Sequence, residues 1–347
     1  MSNGKPHRRC WRSITPNVFV LTAGVDAILA FGIVMFGLGA WRNRDEGFLK
    51  CDRPPSDYEA HVWYAIDYAV HGLEDNDVIF LGDSTCLCGV RTRRFEQLTG
   101  LKAYNLGSVG IVGPDGCGII LDHYLKHHPK PRAVVFCMCP WALGVPASAT
   151  GPSQIRDQFL SAYAPHPTDA SADRFETALR FVRQGARVLA GPFSKSAGGP
   201  FNEPIPGRNG LTLESLGKKI RDERGFFEHP NALPIDTVRR EDRDLPPAVL
   251  PANRDAIRDL ARLATENNVP LYFRLTPALG TDAESFDGLQ SSLKQLYEEC
   301  PQMIPTRPEL VLYDGTFFGE TLHLNGRGAD RFTACVAEEM AGLLDVP

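Results

Sequence analysis

The chain has no excess of basic residues. Lys and Arg number 37 against 42 Asp and Glu, giving a formal net charge of −5 and a pI of about 6.0. Nucleic-acid-binding surfaces are normally basic, so this balance argues against such a partner. No internal repeat and no low-complexity tract is present. Metal-ligand spacing is also wanting, since His127-His128 reads as a solvated pair at a helix end; neither metal nor other cofactor is expected. What is present is 347 residues, enough for a full core plus extra elements, with 32 Gly and 27 Pro that suggest long connections.

There is one long apolar run. Val18 to Trp41 is interrupted only by Thr22, Asp26 and several glycines, and roughly 20 such residues span a bilayer. Lys5, Arg8, Arg9 and Arg12 precede it, while Arg42, Arg44, Asp45 and Glu46 follow. The positive-inside rule puts residues 1–17 in the cytoplasm and the bulk of the chain outside, in the periplasm or cell exterior. A signal anchor is the favoured reading. A cleaved signal peptide and a buried soluble helix remain open, and a twin-arginine signal matches poorly. Asp26 would be costly in lipid, so it either faces a partner helix or sits near the headgroups.

Beyond a linker and leading helix (42–76), strands and helices alternate. Strands are expected at 77–83, 102–105, 132–138, 270–275 and 310–313. Helices are expected at 58–71, 91–99, 114–127, 254–267, 286–299 and 329–344. That rhythm predicts a parallel five-stranded sheet covered on both faces, a three-layer α/β/α domain over 77–347. Residues 142–250 break it, with helical patches at 153–163, 173–189 and 213–224 between Pro/Gly-rich connections. They read as a mostly helical insertion or lid.

The chemistry centres on Ser84. It closes Asp77-Val78-Ile79-Phe80-Leu81-Gly82-Asp83-Ser84, an apolar strand that stops at Gly-Asp-Ser. Such a turn presents the hydroxyl at the carboxyl edge of the sheet, where open α/β folds bind ligands. A serine needs a base and an orienting acid. His323 lies after the last strand, and Glu320, three residues earlier, can orient its imidazole. Alone, His323 is as readily a loop histidine. What favours catalysis is that serine and histidine fall at the same sheet edge.

These blocks resemble the SGNH/GDSL hydrolase superfamily. Gly82-Asp83-Ser84 is similar to its first block, Asn105-Leu106-Gly107-Ser108-Val109-Gly110 to its second, and Glu320 to His323 to its last, with glutamate where aspartate is usual. The resemblance covers 77–341. It implies a flavodoxin-like strand order 2-1-3-4-5, Ser84 as nucleophile, and an oxyanion hole from the amides of Ser84 and Gly110, with Gly107 as runner-up. The third block, Gly-x-Asn-Asp, is absent: strand three ends Cys137-Met138-Cys139-Pro140-Trp141. One lost oxyanion donor can cost about 10²–10³ in rate. Membrane-anchored branches also lack that block, and the chain resembles these, the teichoic-acid D-alanine transfer protein and the alginate acetyltransferase-like proteins. They imply an acyl-ester donor, an envelope polymer acceptor and a membrane-bound O-acyltransferase partner. The Gly-x-Ser-x-Gly elbow of α/β-hydrolases is not found.

Asp83, Trp141, Arg274 and Asn325 are candidate substrate contacts. For Arg274 a structural ion pair, and for Trp141 core packing, are competing readings. Of the nine cysteines, Cys86, Cys88, Cys137 and Cys139 fall near the nucleophile. They read as small buried apolar groups, as a disulfide or as a zinc site; Cys300 with Cys335 is a looser disulfide candidate. The expected function is acyl transfer, with an SGNH esterase and a catalytically silent envelope scaffold as alternatives.

Overall fold

A computed structural model describes residues 57–164, 212–228, 245–279, 286–307, 310–320 and 322–345. The expected membrane span at 18–41, with Asp26, and the helical patch at 173–189 lie outside these residues. Among the described residues no helix is long and apolar enough to cross a membrane.

The continuous apolar runs become β1 (Val78–Gly82), β2 (Ala103–Asn105), β3 (Ala133–Met138) and β4 (Leu271–Leu275), each buried along its whole length. With β6 (Met303–Pro305) they form a parallel five-stranded sheet in the order β2-β1-β3-β4-β6. Burial on both faces explains why these strands are mostly apolar rather than alternating, with Asn105 on β2 and Arg274 on β4 as polar exceptions. Alternate residues feed two cores. Ile79, Leu81, Val134, Phe136, Leu271 and Phe273 face one; Val78, Phe80, Val135 and Tyr272 face the other.

The first core lies under α1 (Asp57–His71), the helix over Gly113–His127, and the helices over Pro251–Glu266 and Phe286–Glu299. The second lies under the short helix α2 (Ser84–Gly89), α3 (Thr92–Thr99) and the last helix (Gly326–Leu343). There Phe80 meets the edge of Phe95 at 4.9 Å between ring centroids.

Two expectations change. Residues 310–313 do not supply the fifth strand. Leu312–Tyr313 (β7) pairs in parallel with Ala278–Leu279 (β5) in a separate two-stranded sheet. The fifth position goes to Met303–Pro305, whose proline is tolerated because the strand is at an edge. The pair His127-His128 is not uniformly solvated. His128 is buried, stacks on Tyr124 at 4.3 Å and contacts the Tyr68 carbonyl oxygen through Nε2 at 3.0 Å. Burial lowers its pKa.

The described parts of 142–250 are docked on the domain. The helix Ser153–Tyr163 buries Ile155 and Phe159 in the first core. Beyond the helix Leu213–Asp222, the chain runs beside β2: the Asn105 amide donates to the Arg224 carbonyl at 2.9 Å, and Arg224 Nε donates to the Ala103 carbonyl at 2.8 Å. A sheet edge is thereby covered. Gly225 makes this approach feasible, since its φ is +90° and a Cβ there would lie 1.9 Å from the Asn105 oxygen.

Candidate active site

β1 delivers the serine. It ends at Gly82, where a Cβ would lie 1.8 Å from the Cys137 oxygen on β3, so only glycine lets the two strands approach this closely. Asp83 then caps α2 and Ser84 is its first residue. The first amides of a helix have no intrahelical acceptor, so the Ser84 N–H is free to serve a ligand.

The histidine sits on a closed loop. Phe318 and Leu324 form an antiparallel bridge, and the Gly319 amide donates to the His323 carbonyl at 2.9 Å. Asn325 secures its base: Nδ2 donates to the carbonyls of Thr316 (2.8 Å) and Phe318 (3.2 Å), while Oδ1 caps the last helix by accepting from the Gly328 amide at 3.0 Å.

This loop brings three of the sequence-derived residues together. His323 Nε2 lies 2.8 Å from Ser84 Oγ, and His323 Nδ1 is hydrogen-bonded to Glu320 Oε1. A carboxylate can only accept, so Nδ1 carries the proton and Nε2 is left as the acceptor for the serine hydroxyl. The His323 side chain is 15% exposed and that of Glu320 42%.

The two oxyanion candidates separate. The Gly107 amide donates to Asn105 Oδ1 at 2.8 Å and is consumed. Gly110 opens a 3₁₀ turn (Gly110–Val112) and is partly exposed, so its amide has the same freedom as that of Ser84. Asn105 itself is structural. Its Nδ2 donates to the carbonyls of Cys86 (2.9 Å) and Val90 (3.1 Å), binding β2 to the middle and the C-cap of α2.

Three candidate substrate contacts are turned inward. Asp83 is 4% exposed, and its carboxylate accepts from the Thr85 amide (2.9 Å), the Thr85 hydroxyl (2.5 Å) and the Cys139 amide (3.0 Å). Arg274 is buried on the face toward the last helix, paired with Glu339 at 3.0 Å and 5.7 Å from the Phe332 ring centre. Asn325 is buried in the cap already described. The Asp83 carboxylate and the Asn325 amide are satisfied by the protein, as burial demands, and Arg274 is held by its ion pair with Glu339. Trp141 remains partly buried on the helical turn Pro140–Leu143, packed against the first core.

The cysteines form no disulfide among the described residues. Burial pushes the thiols of Cys86, Cys88 and Cys117 well up. For Cys88 the Glu320 and Asp83 charges add to this, and for Cys86 a hydrogen bond with Cys137. Such protonated, buried thiols are inert rather than nucleophilic. No group of metal-ligating side chains occurs among the described residues.

Sequence reasoning missed Thr85, Thr276 and the structural use of Asn105. The capping rule was the available signal for Asp83 and Asn325, both favoured N-cap residues just before a helix. No family model and no curated protein matches the chain.

Proposed function

We propose that the chain is a serine-dependent acyl-ester enzyme, anchored by residues 18–41 with its catalytic domain outside the cytoplasmic membrane. The observation that carries this reading is the unbroken chain of hydrogen bonds from Glu320 through His323 to Ser84 Oγ. Ser84 Oγ attacks the acyl carbonyl while His323 Nε2 takes its proton. The resulting imidazolium is stabilised by Glu320 and returns the proton to the leaving oxygen, leaving an acyl-serine. The amides of Ser84 and Gly110 hold the oxyanion. An acceptor hydroxyl, deprotonated by the same imidazole, then attacks the acyl carbonyl; the Ser84 Oγ–acyl bond breaks and the imidazolium returns the proton to Ser84 Oγ.

The favoured acceptor is a hydroxyl of an envelope polymer, with a membrane-bound O-acyltransferase as partner. The supporting observations are the apolar run after a basic start and the acidic Asp26 within it. Hydrolysis is the second reading. It is favoured by the exposure of Glu320, at 42%, which leaves water a path to the triad.

Fluorophosphonate labelling of the full chain tests the chemistry: adduct at Ser84, lost in Ser84→Ala, is the expected result. An activated acyl ester supplied with and without a polysaccharide then separates the acceptors. Slow release to water with Ser84-dependent acylated polymer supports transfer, and fast release indifferent to polymer supports hydrolysis. A phosphatase fused after Pro347 should be active outside the membrane, and activity of cytoplasmic reporters alone would overturn the orientation.

A further inference from the structure

We infer that Asp83, Thr85 and Thr276 form a positioning device that sets the direction of the Ser84 hydroxyl, an inference that rests on the serine-enzyme reading above. All three are buried. Asp83 and Thr85 flank the serine in the chain, and both are pinned. Asp83 Oδ1 accepts from the Thr85 amide and the Thr85 hydroxyl, and Oδ2 accepts from the Cys139 amide. Thr85 Oγ1 lies 2.9 Å from Thr276 Oγ1. Thr276 follows β4 and is itself tied to the end of β3, its amide donating to the Met138 carbonyl at 3.0 Å.

The proton order in this chain follows from donor chemistry. An ionised carboxylate only accepts, so the Thr85 hydroxyl must donate to Asp83. That leaves the Thr85 oxygen, at 2.9 Å, as the nearer acceptor for the Thr276 hydroxyl, whose other acceptor is the Met138 carbonyl at 3.4 Å. The network thus reaches from the end of β1 to the ends of β3 and β4, the three central strands.

A simple helix cap needs only the bond from Asp83 to the Thr85 amide. The further hydroxyls and the Cys139 amide do more: they hold the peptides on either side of Ser84 against the sheet. With both neighbours fixed, the Cα–Cβ direction of Ser84 is fixed, and with it the 2.8 Å contact to His323. The end of β3 contributes the Cys139 backbone amide to this network. Misplacement of a reacting group by about 1 Å can cost about 10²-fold.

The test compares Thr85→Val, which keeps the shape and removes the hydroxyl, with Thr85→Ser, which keeps the hydroxyl. Three readouts apply to the full chain in mild detergent. They are the rate constant of fluorophosphonate labelling, KM against kcat for an activated acyl ester, and the ¹⁵N signals of the His323 ring. Thr85→Val should label about 10–100-fold more slowly with KM unchanged. Its His323 signals should move toward those of Ser84→Ala. Thr85→Ser should restore both. A folded Thr85→Val with the wild-type labelling rate and unmoved His323 signals overturns the inference. If Thr85→Val does not fold, Thr276→Val decides on the same readouts, with a smaller effect of the same sign. If the wild type itself takes no label, the enzyme reading fails, and the His323 signals alone then decide the positioning role.

Discussion

Asn105 offers a sharp energetic test of how the serine turn is held. Asn105 is 2% exposed and its amide bridges β2 to the middle and the C-cap of α2. Asn105→Ala removes the acceptor of the Gly107 amide and the donor to Val90 O, whereas Cys86 O keeps the Val90 amide at 3.1 Å. Two backbone groups lose these partners, and each unsatisfied buried group costs about 1–3 kcal/mol, so the loss should be about 2–6 kcal/mol. Asn105→Asp is more diagnostic. One oxygen still accepts from Gly107, but the other faces carbonyl oxygens at the positions Nδ2 held, 2.9 and 3.1 Å away. A buried, unpaired charge there should cost about 3–5 kcal/mol at neutral pH. Protonation relieves it, so the carboxyl should have a raised pKa in the folded protein. The deficit of the Asp variant should therefore be smallest below the unfolded pKa of about 3.9. It should grow as pH rises and level off above the folded pKa. The Ala deficit should not follow this curve. Denaturant midpoints of the full chain across pH provide the measurement. An Asp variant with the wild-type midpoint at neutral pH, or with a deficit independent of pH, would refute the reasoning.

Ser84→Ala and His323→Ala should each remove nearly the whole catalytic effect, about 10⁴–10⁶ in turnover, and the double variant should add little; additive losses would show that the two act separately. Glu320→Gln should cost less than either in the same assay. Gly225→Ala should destabilise the fold by at least about 1–3 kcal/mol through its φ of +90°, seen as a lower Tm; an unchanged Tm would contradict the close approach to Asn105. Because burial lowers the pKa of His128, the unfolded chain takes up its proton first as pH falls below the model-peptide value of about 6.5. Stability should thus decline below that pH, and His128→Phe should make the decline shallower in a Tm-against-pH series; an unchanged slope would rule out His128 as the cause.

The central strands were legible because burial on both faces leaves an unmistakable apolar run, as in Val78–Gly82 and Ala133–Met138. Met303–Pro305 was not, because three residues ending in proline carry no such signal. Val311 and its neighbours read as a strand because they are apolar, yet only Leu312–Tyr313 pairs, and not with the main sheet. At the site, the spacing of Glu320 and His323 and the position of Ser84 sufficed to bring those residues forward. Asp83 and Asn325, weighed as substrate contacts, are helix caps, and Arg274 takes the structural ion pair that was its competing reading. A polar residue near the sheet edge looks available to a ligand or to the protein; the capping rule points to the amides that Asp83 and Asn325 satisfy, but the distant partner Glu339 of Arg274 leaves no local signal.

The hydrogen bond between Ser84 and His323 joins residues 239 positions apart in the chain. At about 5–20 residues per second, synthesis of that interval takes about 10–50 s. Throughout it the serine has emerged without its base. A contact of such span forms late, after the closure of many shorter loops. On the proposed reading, the serine has no base until the final strand-to-helix connection docks. Termination before residue 323 would leave a fragment whose Ser84 lacks its histidine, so on the proposed reading an unfinished chain would not act on esters in its path.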